Sequence, residues 1–461
     1  MRFRRHATTT HRKSAKGSPR QQPVLRVVKS EQAGTAKPSY YARGVAKTRE
    51  AVQLAGSARM IAGLTLALLG IGLYMVSSAS IVPSLQVSGS TLHFFESQAF
   101  FVLIGCLVAL VISSIDYHRF LNSKIATGGL GLSIALLAYV IVNGVSIGGS
   151  TRWISVPGTL FQPSELAKFA VAIAISASLA RLSEKRRDDA PKVIAVACIA
   201  LPCALLVVIE PDFGTASIIV AIGLAGLYAV GVSGKTMLKA IGTLLAFASA
   251  YALVKPYAVA RFTGLFSQGS DLLGKNYQLH QSKIAVASGG LSGKGFGGST
   301  LKYGALPNPH TDFIFSILGE EFGLFGTVVV LALFGLFIWF GIRTAMRAND
   351  VAGTLVALTV TTWIGLQAFI NIASVVGLFP VTGVPLPFIS YGGTALVADL
   401  AAIGLLISVA KSEQPLRRAA PHAQKSKPRT EQRSVRSSRP SRQLVSSGAA
   451  RPAQGPSRRS R

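Results

Sequence analysis

Pro307-Asn-Pro-His310-Thr-Asp312-Phe-Ile-Phe-Ser-Ile-Leu-Gly-Glu320-Glu321 begins in a polar, proline-bearing loop and runs without a break into an apolar segment that continues to Trp339. A helix needs roughly 20 mostly apolar residues to cross a bilayer. The stretch therefore reads as a membrane span entered from a polar surface, with Asp312 at the boundary. Ionisable groups at such a boundary are costly to keep and generally serve a function. Helix capping is the competing role, because an aspartate just before a span that starts at Phe313 is chemically suited to an N-cap.

The rest of the chain extends that reading. Of its 461 residues half are hydrophobic and only 14% charged, with mean hydropathy +0.46, although both ends are polar. The apolar residues are concentrated into ten segments: Met60–Ser80, Ala99–Ser114, Ile125–Asn143, Leu166–Leu182, Val193–Ile209, Gly214–Val230, Met237–Val254, Phe313–Trp339, Val351–Ser374 and Gly392–Ala410. In lipid, backbone groups have only each other as partners, so these segments are expected to be helices. The expected fold is an all-α integral membrane protein of about ten transmembrane helices.

Loop charges orient the bundle. With both ends inside, the cytoplasmic loops hold Arg119 and Lys124, then Arg181, Lys185, Arg186, Arg187 and Lys192, then Lys235 and Lys239, then Arg343 and Arg347. The short outer loops are nearly free of such charge, Arg152 being the exception, which is the positive-inside pattern. Lys255–Thr311 then forms a large extracytoplasmic loop between helices 7 and 8.

The ends are a different material. Residues 1–58 and 411–461 are rich in Lys, Arg, Ser, Pro, Ala and Gln and carry more than half of the 47 basic residues, so they read as disordered cytoplasmic tails flanking a membrane domain at 59–410. Most of the net charge of +29 belongs to those tails. Beside a membrane such tails favour anionic lipid or a cytosolic protein partner over nucleic acid. No cleavable signal peptide is expected at Met1, because the first apolar run follows a long polar segment.

Cys106, Cys198 and Cys203 all fall inside expected spans and read as small apolar side chains; the seven His residues are scattered, and no metal site is expected. Asp212-Phe-Gly214 spells a kinase signature without the other kinase elements, and Gly293-Lys-Gly-Phe-Gly297-Gly298 imitates a dinucleotide fingerprint without a preceding strand. Both are coincidences of short patterns.

The outer surface carries the specific signals. Arg152 and Trp153 lie in a short outer loop, followed by Gln162-Pro-Ser-Glu165-Leu-Ala-Lys168 at the start of a span. Pro163 suits a first helical turn. Glu165 and Lys168, three apart, share a helical face, either as a structural ion pair or as part of a site. Gln278, Gln281 and Ser282, with Lys283 beside them, form a polar helical face in the large loop and are spaced to meet one ligand. Pro380 to Gly393 contains Ser390 and re-enters the last span through a Pro/Gly-rich backbone, tolerated at that depth where it lines a polar cavity.

In order along the chain, Arg152-Trp153, Gln162-Pro-Ser-Glu165-x-x-Lys168, Pro211-Asp212-x-Gly-Thr, Tyr277-Gln278-x-x-Gln281-Ser282, His310-Thr-Asp312-Phe-Ile-Phe and Pro387-Phe-x-Ser390-Tyr-Gly-Gly393 resemble the SEDS family of bacterial envelope proteins. The resemblance covers nearly all of Met60–Ala410. Gly319-Glu320-Glu321 resembles the division branch, FtsW, more than the RodA branch.

That resemblance implies a peptidoglycan glycosyltransferase polymerising lipid II on the outer face of the bacterial cytoplasmic membrane, at the septum, with both termini in the cytosol. It implies Asp312 as general base, since a base must take the acceptor hydroxyl proton while pyrophosphate leaves. Arg152, Lys168 and Lys283 become candidates for the pyrophosphates, and Trp153, Glu165, Gln278, Gln281, Ser282, His310 and Ser390 for other substrate contacts. A divalent cation, Mg²⁺ or Mn²⁺, would suit the leaving group, although no carboxylate cluster marks its site. The implied partners are a class B penicillin-binding transpeptidase and other division membrane proteins. A lipid II flippase and a non-catalytic division scaffold are the rival readings.

Overall fold

A computed structural model describes residues 40–147, 150–156, 159–185, 187–254 and 277–412. Most of both expected tails and residues 255–276 of the expected outer loop lie outside the described residues. The chain runs through α1 (Tyr40–Ala79), α2 (Ile81–Ser88), α3 (His93–Ser114), α4 (Tyr117–Phe120) and α5 (Ser123–Asn143) into three short strands, β1 (Val145–Ile147), β2 (Ser150–Val156) and β3 (Thr159–Phe161). It continues as α6 (Pro163–Lys185), α7 (Asp189–Ile209), α8 (Phe213–Ala229), α9 (Gly234–Val254), α10 (Tyr277–Ser288), α11 (Ile314–Arg347), α12 (Val351–Val375) and α13 (Gly393–Lys411).

Among the described residues, eight helices are long and apolar enough to span a membrane: α1 from Gly56, α3, α5, α6, α7, α11, α12 and α13. The other two expected spans are helical as well, α8 being the short one. α8 has 17 residues, about 25 Å at 1.5 Å per residue, against a hydrocarbon core of about 30 Å. α9 carries Lys235 and Lys239 in its first two turns. At the other end of the chain, α1 begins at Tyr40, upstream of the tail boundary expected at 58.

Burial sorts the helices. α12 and α13 are 72% buried over their apolar windows, whereas α3 is only 17% buried. On α3 the exposed Phe100, Leu103, Leu107 and Leu110 recur at helical spacing and form its outward, lipid-suited stripe. The centre of the bundle is therefore α6, α12 and α13, and their side chains include a polar set. Lys168 pairs with Glu165 at 2.8 Å, donates to Gln367 Oε1 at 2.6 Å and lies 5.1 Å from the Trp363 ring. Gln367 also accepts from Trp363 Nε1 at 2.9 Å and donates to the Pro385 carbonyl at 3.2 Å.

Two local features set the outer end. The segment expected to be a short loop is instead an antiparallel β1-β2-β3 meander, with Val145 opposite Trp153 and Ile154 opposite Phe161. Alternation along β2 buries Ser150 and Arg152 and leaves Thr151 and Trp153 half-exposed, the period-two signature of a strand. The second feature is a break in α11 at Gly323, whose φ of 63° and ψ of −158° are outside the helical region. Such a conformation suits glycine and few other residues. The loop after α10 supplies backbone partners at the break: Leu324 N donates to Gly290 O at 2.9 Å, Phe325 N to Leu291 O at 3.2 Å, and Lys294 N and Gly295 N to the carbonyls of Glu320 and Glu321 at 2.9 and 3.0 Å. The Gly-rich stretch 293–298 thus braces a broken helix.

Candidate active site

Asp312 stands at the junction foreseen from sequence, half-buried, just before α11. The helix begins at Ile314 and its N-cap position is Phe313, so Asp312 lies one residue outside the capping position. The reading of Asp312 as the cap is corrected: the turn through Phe313 shifts the helix start by one residue. Three residues fix the backbone around it. Asn371 Nδ2 donates to Asp312 O at 2.9 Å and to Val384 O at 2.8 Å, Ser390 Oγ donates to Thr311 O at 2.7 Å, and Tyr391 N donates to His310 O at 2.9 Å. The re-entrant segment 380–392 is thereby stitched to the Asp312 turn.

Arg152 approaches the same place from β2. Its Nε donates to Glu210 O at 3.1 Å, Nη2 donates to Pro211 O, and Nη1 lies 3.6 Å from Asp212 Oδ2. Asp212 is itself fixed as the N-cap of α8, accepting from Thr215 N at 3.1 Å and Thr215 Oγ1 at 3.0 Å. Close to both Arg152 and Asp312 is Gly383, in the left-handed region with φ +75°. A Cβ there would stand 3.6 Å from Arg152 Nη1 and 3.7 Å from Asp312 Oδ2. The guanidinium and the carboxylate thus border one small space that any side chain at 383 would begin to fill. A base and a cation at one space are the two elements needed to deprotonate a nucleophile and to offset charge on a leaving group.

The remaining expected residues fall into separate groups. His310 packs its ring against Phe94 at 4.7 Å between centroids and against Tyr391 at 5.7 Å. Burial lowers its pKa to about 4, so the ring is neutral at ordinary pH. Gln278 and Gln281 are half-buried on α10. Ser282, beside them, is fully buried, donating to Val375 O at 2.7 Å and sharing a 2.7 Å contact with Ser316 Oγ. The three-and-four spacing spreads these side chains over enough arc for one to turn inward. Lys283 lies across Gly377, where a Cβ would meet its Cε at 2.2 Å. Glu165 and Lys168 are 1% and 0% exposed and belong to the interior set on α6, α12 and α13. Ser390 is 4% exposed and acts on backbone, also accepting from Leu386 N at 2.8 Å. Trp153 is half-buried on β2.

Sequence reasoning passed over Asn371, Gly383 and Lys302. Asn371 carried a signal, an amide within an otherwise apolar span. Lys302 is 2% exposed and saturates its ammonium with Ser78 Oγ at 2.9 Å, Gly297 O at 2.7 Å and Glu321 Oε1 at 3.1 Å. Glu320 holds the same loop through Lys294 Nζ and Ser299 Oγ, both at 2.5 Å, and Thr300 N at 3.0 Å. Glu320 and Glu321 therefore anchor the loop leading to Asp312. Among the described residues no three His, Cys, Asp or Glu side chains are grouped to hold a metal ion.

The profile of the FtsW/RodA/SpoVE family, described as cell cycle proteins, matches residues 59–415. A probable peptidoglycan glycosyltransferase FtsW from Thioalkalivibrio sulfidiphilus is 39% identical over 78% of this chain and 93% of its own length. Stage V sporulation protein E of Bacillus subtilis is 37% identical over 76% of this chain and 95% of its own. Among solved structures, one chain from a study of polymerisation and crosslinking by a peptidoglycan synthase complex superposes with a TM-score of 0.64 at 27% identity, covering 76% of this chain and 96% of that one. The rod shape determining protein RodA of Thermus thermophilus superposes with a TM-score of 0.57 at 27% identity, covering 77% and 96%.

Proposed function

The chain belongs to the FtsW/RodA/SpoVE family of cell cycle proteins, and from that premise we propose that it is a peptidoglycan glycosyltransferase that polymerises lipid II during division, with Asp312 as general base. The observation that supports the assignment of the base is that the Asp312 carboxylate and the Arg152 guanidinium both come within 4 Å of where a Cβ on Gly383 would stand. The acceptor is the 4-hydroxyl of lipid II and the donor a glycan on undecaprenyl pyrophosphate. As the hydroxyl oxygen bonds to the donor's anomeric carbon, its proton passes to Asp312 and the carbon–oxygen bond to pyrophosphate breaks. Arg152, directly or through the turn it holds, offsets negative charge gathering on the pyrophosphate. A boundary site suits this chemistry, because both substrates keep their lipid tails in the bilayer.

The protein is integral to the bacterial membrane. Location at the septum, cytosolic termini and action with a class B penicillin-binding transpeptidase belong to the same proposal, supported by the Lys/Arg asymmetry and by the likeness to a chain of a peptidoglycan synthase complex. The count of ten spans belongs here too, with α8 and α9 as the short and the lysine-bearing members.

Asp312→Asn tests the base. Asn keeps the size of the side chain and removes its basicity, and loss of a general base typically costs about 10²–10⁴ in rate. Glycan chains made from lipid II by the purified full-length protein with its transpeptidase, resolved on a gel, are expected to disappear in Asp312→Asn at wild-type protein levels. Near-normal polymer from this variant would remove the base assignment. Wild-type protein that moves lipid II across a bilayer without polymerising it would instead favour a flippase.

A further inference from the structure

Beside Arg152 lies a carboxyl group that the reaction above does not use. Glu210 follows the last residue of α7, is 2% exposed, and has no hydrogen-bond partner at either side-chain oxygen. It shares its turn with Pro211 and Asp212, and this is the turn that Arg152 grips by two backbone carbonyls and one carboxylate. The charged groups acting on Glu210 are Asp212 from its own turn and Arg152 from β2. Burial, and then the negative charge of Asp212, push its carboxyl up to about 8, with Arg152 opposing both. At neutral pH the group is an uncharged acid.

We infer that Glu210 is a positioning residue for the transfer reaction: uncharged, it leaves Arg152 with Asp212 as its carboxylate partner and Nη1 at the space it shares with Asp312, whereas ionised it competes for the guanidinium as a second negative charge. With Glu210 neutral the Arg152–Asp212 pair carries no net charge, and the guanidinium can turn to a pyrophosphate. An ionised Glu210 makes the Arg152 cluster net negative, and an anionic donor is repelled from it. This inference rests on the reading of the site as a glycosyl-transfer centre.

The consequence is an alkaline limb in the pH profile that belongs to Glu210. For the full-length protein with its transpeptidase in proteoliposomes, polymerisation of lipid II is expected to be about tenfold slower at about pH 9 than at about pH 7, as follows for a single proton lost near pH 8. In Glu210→Gln, which cannot ionise, the ratio of the two rates is expected to be near one. Glu210→Met gives the same comparison if the Gln variant does not accumulate. A wild-type rate that is flat over this range, or a Glu210→Gln or Glu210→Met rate that falls as steeply as wild type, would overturn the inference. Asp312→Asn run alongside separates the two readings, because polymer from that variant would remove the base while leaving the Glu210 comparison intact.

Discussion

Removing the ammonium of Lys302 should destabilise this protein more than removing its charged partner along with it. Lys302 and Glu321 have side-chain exposures of 1% and 0% and meet at 3.1 Å. Glu321 Oε1 also accepts from Ser78 Oγ at 2.5 Å, and Oε2 accepts from Tyr74 at 3.3 Å, so the pair ties α11 and its loop to α1. Lys302→Met fills similar volume but leaves a buried carboxylate without its cation, which typically costs about 3–5 kcal/mol. Adding Glu321→Gln removes the stranded charge and keeps an amide for Tyr74 and Ser78. The double variant is therefore expected to recover about 2 kcal/mol or more relative to the sum of the singles, the signature of direct coupling. Apparent unfolding of the purified protein, followed for both single variants and the double, gives the cycle. Additive effects, or a Lys302→Met cost below about 1 kcal/mol, would refute the idea that the ion pair anchors this loop.

Three further outcomes follow from the geometry. Gly383→Ala places a methyl group close to both Arg152 and Asp312 and forces a left-handed conformation on an L-residue, so it is expected to cost about 1–2 kcal/mol in stability and to lower polymerisation well beyond that of a surface Gly→Ala control. A cysteine replacing the exposed Tyr303 should react with an impermeant thiol reagent in cells lacking an outer-membrane barrier, and one replacing Asn349 should not; the reverse pattern would invert the topology. His118 contacts Asp116 at 2.7 Å and Asp350 at 2.8 Å. Burial works against its charge, but hydrogen bonds to the two aspartates leave its pKa raised. The bridge therefore stabilises fully below the unfolded value of about 6.5 and fades as pH rises through the higher folded value. The melting difference between wild type and His118→Gln should be small, because the pair is half-exposed, and should shrink further on the alkaline side.

The spans were legible because lipid-facing and core-facing helices alike must be apolar, as α3 and α13 both are. The sixth expected span is the short α8, and the seventh, α9, carries two lysines near its start. Asp312 was legible as a charge at a boundary, and its backbone setting was not, since Asn371, Ser390 and Tyr391 reach it from elsewhere in the chain. Arg152 could be singled out as the exceptional cation of the short outer loops, yet strands of three to seven residues carry too little periodicity to show which way it turns. Glu165 and Lys168 were read from their spacing as a pair. Their depth could not be, because it depends on Gln367 and Trp363 closing over them from another helix. Gly323 gave no warning, as a glycine within an apolar run is ordinarily accommodated by the helix.

The break at Gly323 bears on where this chain can change length. Surface loops usually accept insertions, because few partners depend on their backbone. Here residues 290–295 provide carbonyls and amides to residues 320–325, so the loop substitutes for the missing rungs of a helix. An epitope or fluorescent tag placed within 290–295 would leave several peptide groups of α11 unsatisfied at the edge of the membrane. The same tag at the exposed residues Tyr303 and Gly304 would displace none of those bonds. In this family member the glycine-rich segment is expected to resist insertions and deletions as a transmembrane helix does, while the stretch a dozen residues later behaves as an ordinary loop.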